Sequence, residues 1–180
     1  RGRCGRSGAW TELLRLEPND IQLNVPLMVG LQESLPSAEN DQLEALRHWL
    51  AKPSGLCIAY SGGVDSALVA AIAFEQQGAR ALAVTGVSPA LAPHLLEEAR
   101  HQARWIGIRH RECGTEELQD PSYSSNPVDR CYACKRELHR HLKQVIPESG
   151  DALVVDGVNL DDLGDRRPGI QAARAAGVRA

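Results

Sequence analysis

The residues best suited to chemistry in this chain are Ser61, Gly62, Gly63, Val64, Asp65 and Ser66. Two adjacent glycines let a backbone turn sharply and approach an anion with no Cβ in the way. If a helix follows, its first free N–H groups and its dipole converge on the same point, which suits a phosphate. Ser61 and Ser66 would add hydroxyl donors. Asp65 has to be accounted for separately, because a carboxylate repels a phosphate unless Mg²⁺ sits between them or the side chain caps the helix. A plain Gly-Gly turn with Ser and Asp capping the next helix is the simpler alternative. The spacing is neither the GxxxxGK[ST] of a Walker loop nor the GxGxxG of a dinucleotide site.

Two further segments carry reactive groups. Cys131 and Cys134 form a CxxC inside Asn126–Lys135, next to the cations Arg130 and Lys135. One such pair is too small for a tetrahedral zinc site. Pro127 and Asp129 mark a helix start upstream, so the two thiols fall in later turns, on one face at i, i+3. That arrangement suits two ligands of a shared metal better than a redox pair at a helix N-terminus; two helical thiols with no ligand role are the alternative. The segment Asp156–Gly169 holds Asp156, Asp161, Asp162 and Asp165 opposed by Arg166 and Arg167. It reads as a contact loop for Mg²⁺ or substrate, with Asp156 and Arg167 the preferred pair, or as a solvated acidic loop. Arg130 and Lys135 are fixed cations suited to a substrate phosphate.

The first loop matches the SGGxDS signature of the PP-loop ATP pyrophosphatase superfamily at every fixed position. With Asn126–Lys135 and Asp156–Gly169 the chain resembles the LarE-type pyridinium-dicarboxylate mononucleotide sulfurtransferases, which help build the nickel-pincer nucleotide cofactor. The resemblance runs from about Leu43 to Ala180. It implies ATP and Mg²⁺ as cofactors, with Ser61–Ser66 cradling the pyrophosphate leaving group and Asp65 catalytic. It also implies adenylation of a substrate carboxylate, then displacement of AMP by sulfur to leave a thiocarboxylate. Substrate contacts are expected from Arg130, Lys135, Asp156, Asn159, Asp162 and Arg167. In members with this CYxC, the pair and a distant Cys resemble ligands of a [4Fe-4S] cluster that carries the sulfur, which makes Cys131 and Cys134 metal ligands and catalytic. Members without the pair sacrifice the sulfur of one downstream Cys. Family members continue into a second region, so the chain is read as an N-terminal portion. Other PP-loop chemistry (tRNA thiolation, amidation) and a non-enzymatic nucleotide binder are the competing functions.

These groups need a scaffold, and the pattern supplies one. Leu56–Tyr60 is a short apolar run that suits a buried parallel strand. Asp65–Gln77 is Ala- and Leu-rich and helical, with Gly78 as its stop. Strands follow at Ala81–Val87, Ile108–Cys113 and Ala152–Asp156. Helices fall between them, one with the buried stripe Leu91, Leu95, Ala99 and Ala103, another over Asp129–Ile146. A fifth element begins near Gly169, and Leu43, Leu46 and Leu50 mark a helix ahead of the first strand. This alternation predicts a doubly wound parallel α/β sheet, an α/β/α sandwich of the adenine nucleotide alpha-hydrolase-like type, with its ligand beyond the strand ends. Cys57 is expected in the core, with Cys113 open; His94, His101, His139 and His141 are expected at the surface.

The bulk properties exclude some partners. At 180 residues the chain can bury one core. A net charge of -3 gives no basic surplus for nucleic acid. The longest uncharged stretch, Ala81–Leu96, is broken by Gly and Pro and does not read as a membrane span. Five cysteines at irregular spacing argue against a secreted disulfide framework and for a cytoplasmic setting. The partner expected is a small-molecule nucleotide, with no nucleic acid and no membrane; a homo-oligomer is compatible. Arg1–Ser7 is a Gly/Arg cluster, and residues 1–27, ahead of the sole Met28, read as an upstream extension or mistaken start to a domain spanning 28–180. A mitochondrial-type presequence is the alternative, which Glu12, Glu17 and Asp20 count against.

Overall fold

The computed structural model describes residues 37–125, 130–145, 152–158 and 168–179. Helix α1 (Ser37–Leu50) precedes β1 (Leu56–Ala59), α2 (Val64–Gln77), β2 (Ala81–Val87), α3 (Pro93–Ile106) and β3 (Arg109–Gly114). A 3₁₀ turn (Glu117–Gln119) and the short α4 (Pro121–Ser124) lead on to α5 (Arg130–Val145), β4 (Leu153–Asp156) and α6 (Pro168–Ala175). The four strands form one sheet in the order β3-β2-β1-β4, every pair parallel. The expected parallel sheet, with its first two strands adjacent, is therefore present. The element expected near Gly169 is α6; beyond it Arg179 bridges Val155 in parallel, its N–H donating to Val154 O at 3.0 Å.

β1 is buried along its whole length, as a central parallel strand must be. Its alternate residues serve two cores. Leu56 and Ile58 pack with Leu50 of α1, Ile72 and Phe74 of α2, and Ala99 and Ala103 of α3. Cys57 and Ala59 pack with Leu142 and Val145 of α5 and Ala173 of α6. Helices thus cover both faces, giving the α/β/α sandwich. Cys57 lies in the second core, where burial pushes its thiol up to about 12, and Cys113 joins the same cluster. β3 is different: Arg109, His110, Arg111 and Glu112 keep it polar, in keeping with an outer strand.

Helix ends follow local chemistry. Pro93 opens α3, and Gly107 closes it at φ 84°, its N–H donating to Ala103 O at 3.0 Å. The stripe expected on α3 is buried at Ala99 and Ala103, whereas Leu95 is 43% exposed and Leu91 precedes the helix. His139 departs from its expected surface position. It shares one face of α5 with Leu142 and Val145, at three-residue spacing, and is fully buried against the sheet.

The C-terminal end of α1 is held by Gln77 of α2. Its buried Nε2 donates to the carbonyls of Leu50, Ala51 and Pro53 at 2.8, 3.1 and 3.0 Å, groups that a helix end leaves without intrahelical partners. Gln77→Leu should therefore lower stability by about 1–3 kcal/mol, the cost of leaving buried acceptors unpaired, read as a lower denaturant midpoint with an unchanged slope.

Candidate active site

A cavity of about 360 Å³ opens above the carboxyl ends of the strands, within the ~300–1,000 Å³ usual for small-molecule sites. It is lined from β1 and α2 by Ser61, Gly63, Asp65 and Ser66, from β2 by Thr85 and Ser88, and from beyond β3 by Thr115, Glu117 and Tyr123. α5 contributes Cys134, Lys135 and Leu138, and the end of β4 contributes Asp156 and Gly157. β1 lies between β2 and β4, where the winding of the sheet changes direction, and ligands of such sheets sit at that switch.

The loop between β1 and α2 is braced by its own side chains. Gly62 takes φ 78°, and a Cβ there would meet Ala99 Cα of α3 at 2.9 Å, so both conformation and contact require glycine. Ser61 Oγ accepts from the Gly63 N–H at 3.2 Å and lies 3.1 Å from Ser66 Oγ. Ser66 is buried, and its hydroxyl donates to Gly63 O at 3.0 Å. With its proton on Gly63 O, Ser66 accepts from the Ser61 hydroxyl, so both serines stiffen the turn and the backbone N–H groups are left as the donors for a ligand. Gly63 is the N-cap of α2 with no side-chain cap, so the N–H groups of Val64, Asp65 and Ser66 form the free first turn. Asp65 is exposed to the cavity and does not cap the helix, which removes the capping account of that carboxylate.

On the β4 side, Asp156 is 6% exposed and receives a hydrogen bond from Lys135 Nζ at 2.6 Å. His139 Nε2 stands 3.5 Å from the same carboxylate oxygen, and neither ring nitrogen has a hydrogen-bond partner among the described residues. Burial raises the Asp156 carboxyl, but His139 and Lys135 outweigh it and hold the group below its ordinary value. Lys135 thus meets a protein carboxylate as well as facing the cavity. Gly157 abuts α2: a Cβ there would lie 2.7 Å from Ser66 N.

On the β2 and β3 side, the Thr85 hydroxyl donates to Tyr60 O at 2.8 Å, so the 2.8 Å contact to His110 Nε2 is one the ring donates. The His110 ring meets Tyr60 edge-on at 5.6 Å. Ser88 Oγ donates to Glu117 Oε1 at 2.5 Å. Of the residues expected from sequence, Ser61, Gly63, Asp65, Ser66, Cys134, Lys135 and Asp156 come together here. Val64 is exposed beside the loop, and Arg130 and Cys131, both exposed on α5, do not line the cavity. Asn159, Asp162 and Arg167 lie outside the described residues. Thr85, Ser88, Glu117, Tyr123, His139 and Gly157 are site residues that the sequence reading did not select.

Among the described residues, no three His, Cys, Asp or Glu side chains gather where a metal could be held. Cys131 and Cys134 are two thiols with different surroundings, so these residues do not by themselves make a cluster site. Burial, then the nearby Glu117, raises the Cys134 thiol, so it is not poised as a thiolate. Asp65, which faces the cavity with no hydrogen bond or ion pair among the described residues, is the carboxylate that would hold a single Mg²⁺.

The parallel sheet, the SGGxDS turn at its switch point and the free helix N-terminus define a PP-loop α/β domain of the adenine nucleotide alpha-hydrolase-like class. Over 123 residues the chain is 30% identical to the pyridinium-3,5-bisthiocarboxylic acid mononucleotide synthase of Lactiplantibacillus plantarum, covering 68% of this chain and 45% of that protein. The resemblance to the LarE-type proteins is thus a measured sequence similarity. An uncharacterized Synechocystis protein is 51% identical over 138 residues, 77% of this chain and 52% of its own length. The chain spans about half the length of these curated relatives. No family model matches. Among solved structures, the NH3-dependent NAD synthetase of Campylobacter jejuni superposes with a TM-score of 0.57 at 17% identity, over 68% of this chain and 58% of that one. The NMN synthetase of Francisella tularensis gives 0.56 at 18%, over 77% and 70%. The glutamine-dependent NAD+ synthetase of Acinetobacter baumannii, solved with ADP, gives 0.55 at 25%, over 68% and 25%. No helix among the described residues is long and apolar enough to cross a membrane.

Two measurements check this geometry. Inorganic pyrophosphate should raise the melting temperature of the chain by binding the folded loop, and Gly157→Ala, which must displace the β4 loop from α2, should remove most of that rise. An acid titration checks Asp156. Its folded carboxyl is depressed, so its contribution is present above the ordinary carboxylate range and is lost as pH falls through and below that range. Asp156→Asn should flatten that part of the stability-against-pH curve.

Proposed function

We propose that the protein uses ATP to activate a carboxylate of a small nucleotide substrate and replaces one carboxylate oxygen with sulfur, as a step in nickel-pincer nucleotide cofactor synthesis. The observation that carries the ATP half is the Ser61–Ser66 turn at the β1–β4 switch point, with Asp65 facing the cavity. Similarity to the bisthiocarboxylic acid mononucleotide synthase supports the sulfur half and the substrate class.

The residues divide the work as follows. The first-turn N–H groups of α2 bind the β- and γ-phosphates and hold them as a leaving group, so attack falls on the α-phosphate. Asp65 would hold Mg²⁺, whose chemistry there is to offset the negative charge that grows on the departing pyrophosphate. A substrate carboxylate oxygen attacks the α-phosphorus, the bond to the β-phosphate oxygen breaks, and an acyl adenylate and pyrophosphate result. A hydrosulfide-level sulfur then adds to the acyl carbon and AMP leaves, giving the thiocarboxylate. Lys135, anchored on Asp156 beside the loop, presents its remaining N–H donors to the incoming carboxylate or to the α-phosphate. Cys134 is the described thiol nearest this chemistry, at the cavity wall. Burial raises its pKa, so it stands there as a thiol and not as the attacking thiolate.

An amide-forming synthetase is the second reading, favoured by the NAD and NMN synthetase folds. It shares the first step and differs in the nucleophile. Supplying pyridinium-3,5-biscarboxylic acid mononucleotide and ATP with either sulfide or ammonia separates the two, with the product identified by mass. A thiocarboxylate with sulfide supports the proposal; an amide with ammonia and no thiocarboxylate overturns it. Asp65→Ala should cut carboxylate-dependent pyrophosphate release by about 10²–10³-fold, the range for losing one transition-state contact, with the melting temperature unchanged because the side chain is exposed.

A further inference from the structure

Of the two buried carboxylates that line the cavity, Asp156 and Glu117, Glu117 is the one that meets no cation among the described residues. It is 5% exposed, at the start of the 3₁₀ turn that follows β3. Ser88 donates to Oε1, while Oε2 is buried with no hydrogen-bond partner among the described residues. An unpaired buried carboxylate oxygen is costly, and native structures keep one where a ligand, water or ion completes it. A second carboxylate at the same cavity, Asp156, is already satisfied by Lys135. The two carboxylates are therefore not equivalent: Asp156 is complete without a ligand and Glu117 is not.

No group of side chains among the described residues could hold a metal ion beside it, so the missing partner is a hydrogen-bond donor. A phosphate offers acceptors and charge of the wrong sign, so the phosphate end of a nucleotide is excluded from this wall. Sheet geometry sets the distance. The phosphate loop follows β1, and Glu117 follows β3, two strands away. At ~4.8 Å per strand that is roughly 10 Å, about the reach from a nucleotide's β-phosphate to its sugar hydroxyls. Between them lies the end of β2, where Gly86 packs against the Leu138 and Thr115 side chains, followed by Ser88, Ala90 and Leu91. On the opposite flank, Lys135 and Asp156 beside β4 leave the approach to the α-phosphate for the carboxylate substrate.

We propose that Glu117 is a nucleotide-recognition residue whose free Oε2 accepts a hydrogen bond from a ribose hydroxyl of the bound ATP, with Ser88 fixing the carboxylate in that orientation. This rests on the ATP reading of the Ser61–Ser66 loop. A carboxylate accepts from a hydroxyl more strongly than a neutral oxygen does, so the site selects ribose over a deoxyribose that lacks the contacted hydroxyl.

The test is the affinity of the full chain for Mg·ATP, Mg·2′-deoxy-ATP and Mg·3′-deoxy-ATP, measured by calorimetry on the wild type, Glu117→Ala and Glu117→Leu. In the wild type one of the two deoxy analogues should bind about 10- to 100-fold more weakly than ATP. In both variants that ratio should fall to near one. The ratio stays informative even if a variant is partly unfolded, because unfolding weakens every ligand by the same factor. A wild type that binds both deoxy analogues as tightly as ATP overturns the proposal. So does a Glu117→Ala variant that keeps the wild-type ratio, since Glu117 would then be structural only. A wild type that binds no adenine nucleotide at all overturns the ATP reading of the loop, and this inference with it.

Discussion

Gly62 rests against the backbone of Ala99, and the cavity is built outwards from that contact. Because nothing larger than hydrogen stands at Gly62, α2 can leave β1 in a tight turn while α3 packs alongside. The first turn of α2 then faces the strand ends rather than solvent at large. Gly157 repeats the arrangement from the other side, its Cα set against the Ser66 backbone. Two close approaches, one on each flank, hold a helix N-terminus at the point where the sheet changes its direction of winding. An anion-binding group made of backbone is rigid only if its neighbours are, and here two glycines provide that.

Around this fixed point the polar side chains divide by flank. Beside β4, Asp156, Lys135 and His139 form a nearly closed set, in which burial of the carboxylate is offset by the cation and the ring above it. Beside β2 and β3, the Tyr60 carbonyl, Thr85 and His110 are joined in one chain of hydrogen bonds, leaving Glu117 incompletely partnered. Each flank thus keeps buried polar atoms without a hydrogen-bond partner among the described residues, Oε2 of Glu117 on one side and the ring nitrogens of His139 on the other.

The CxxC is where local pattern and folded geometry part. Placed at i, i+3 on a helix, Cys131 and Cys134 were expected to face the loop together. In the fold Cys134 reaches the cavity wall, half-buried near Glu117, while Cys131 is exposed and off the lining. A three-residue step turns a helix by about 300°, so two such residues diverge by some 60°, enough to separate a wall position from an exposed one where the cavity is narrow.

Much of the architecture was legible in the sequence because it depends on short-range rules. Leu56–Tyr60 suited a buried strand, Gly78 could stop a helix, and Ser61–Ser66 carried the phosphate turn in its spacing. Strand alternation then implied a parallel sheet, and β1 beside β2 followed. Other features depended on which side chains the fold brings together over long separations. Ser66 looked like a ligand donor, yet the turn uses its hydroxyl on Gly63 O. His139 looked like one more helical surface histidine until the orientation of α5 against the sheet buried it opposite Asp156. Glu116 and Glu117 are indistinguishable as letters; the 3₁₀ turn exposes the first and buries the second against Ser88. Periodicity and turn chemistry determined the frame, because each acts within a few residues. Which carboxylate is paired and which is left for a ligand was decided only when β3, α5 and β4 converged on one cavity, since pairing is a matter of distance in space and not of position along the chain.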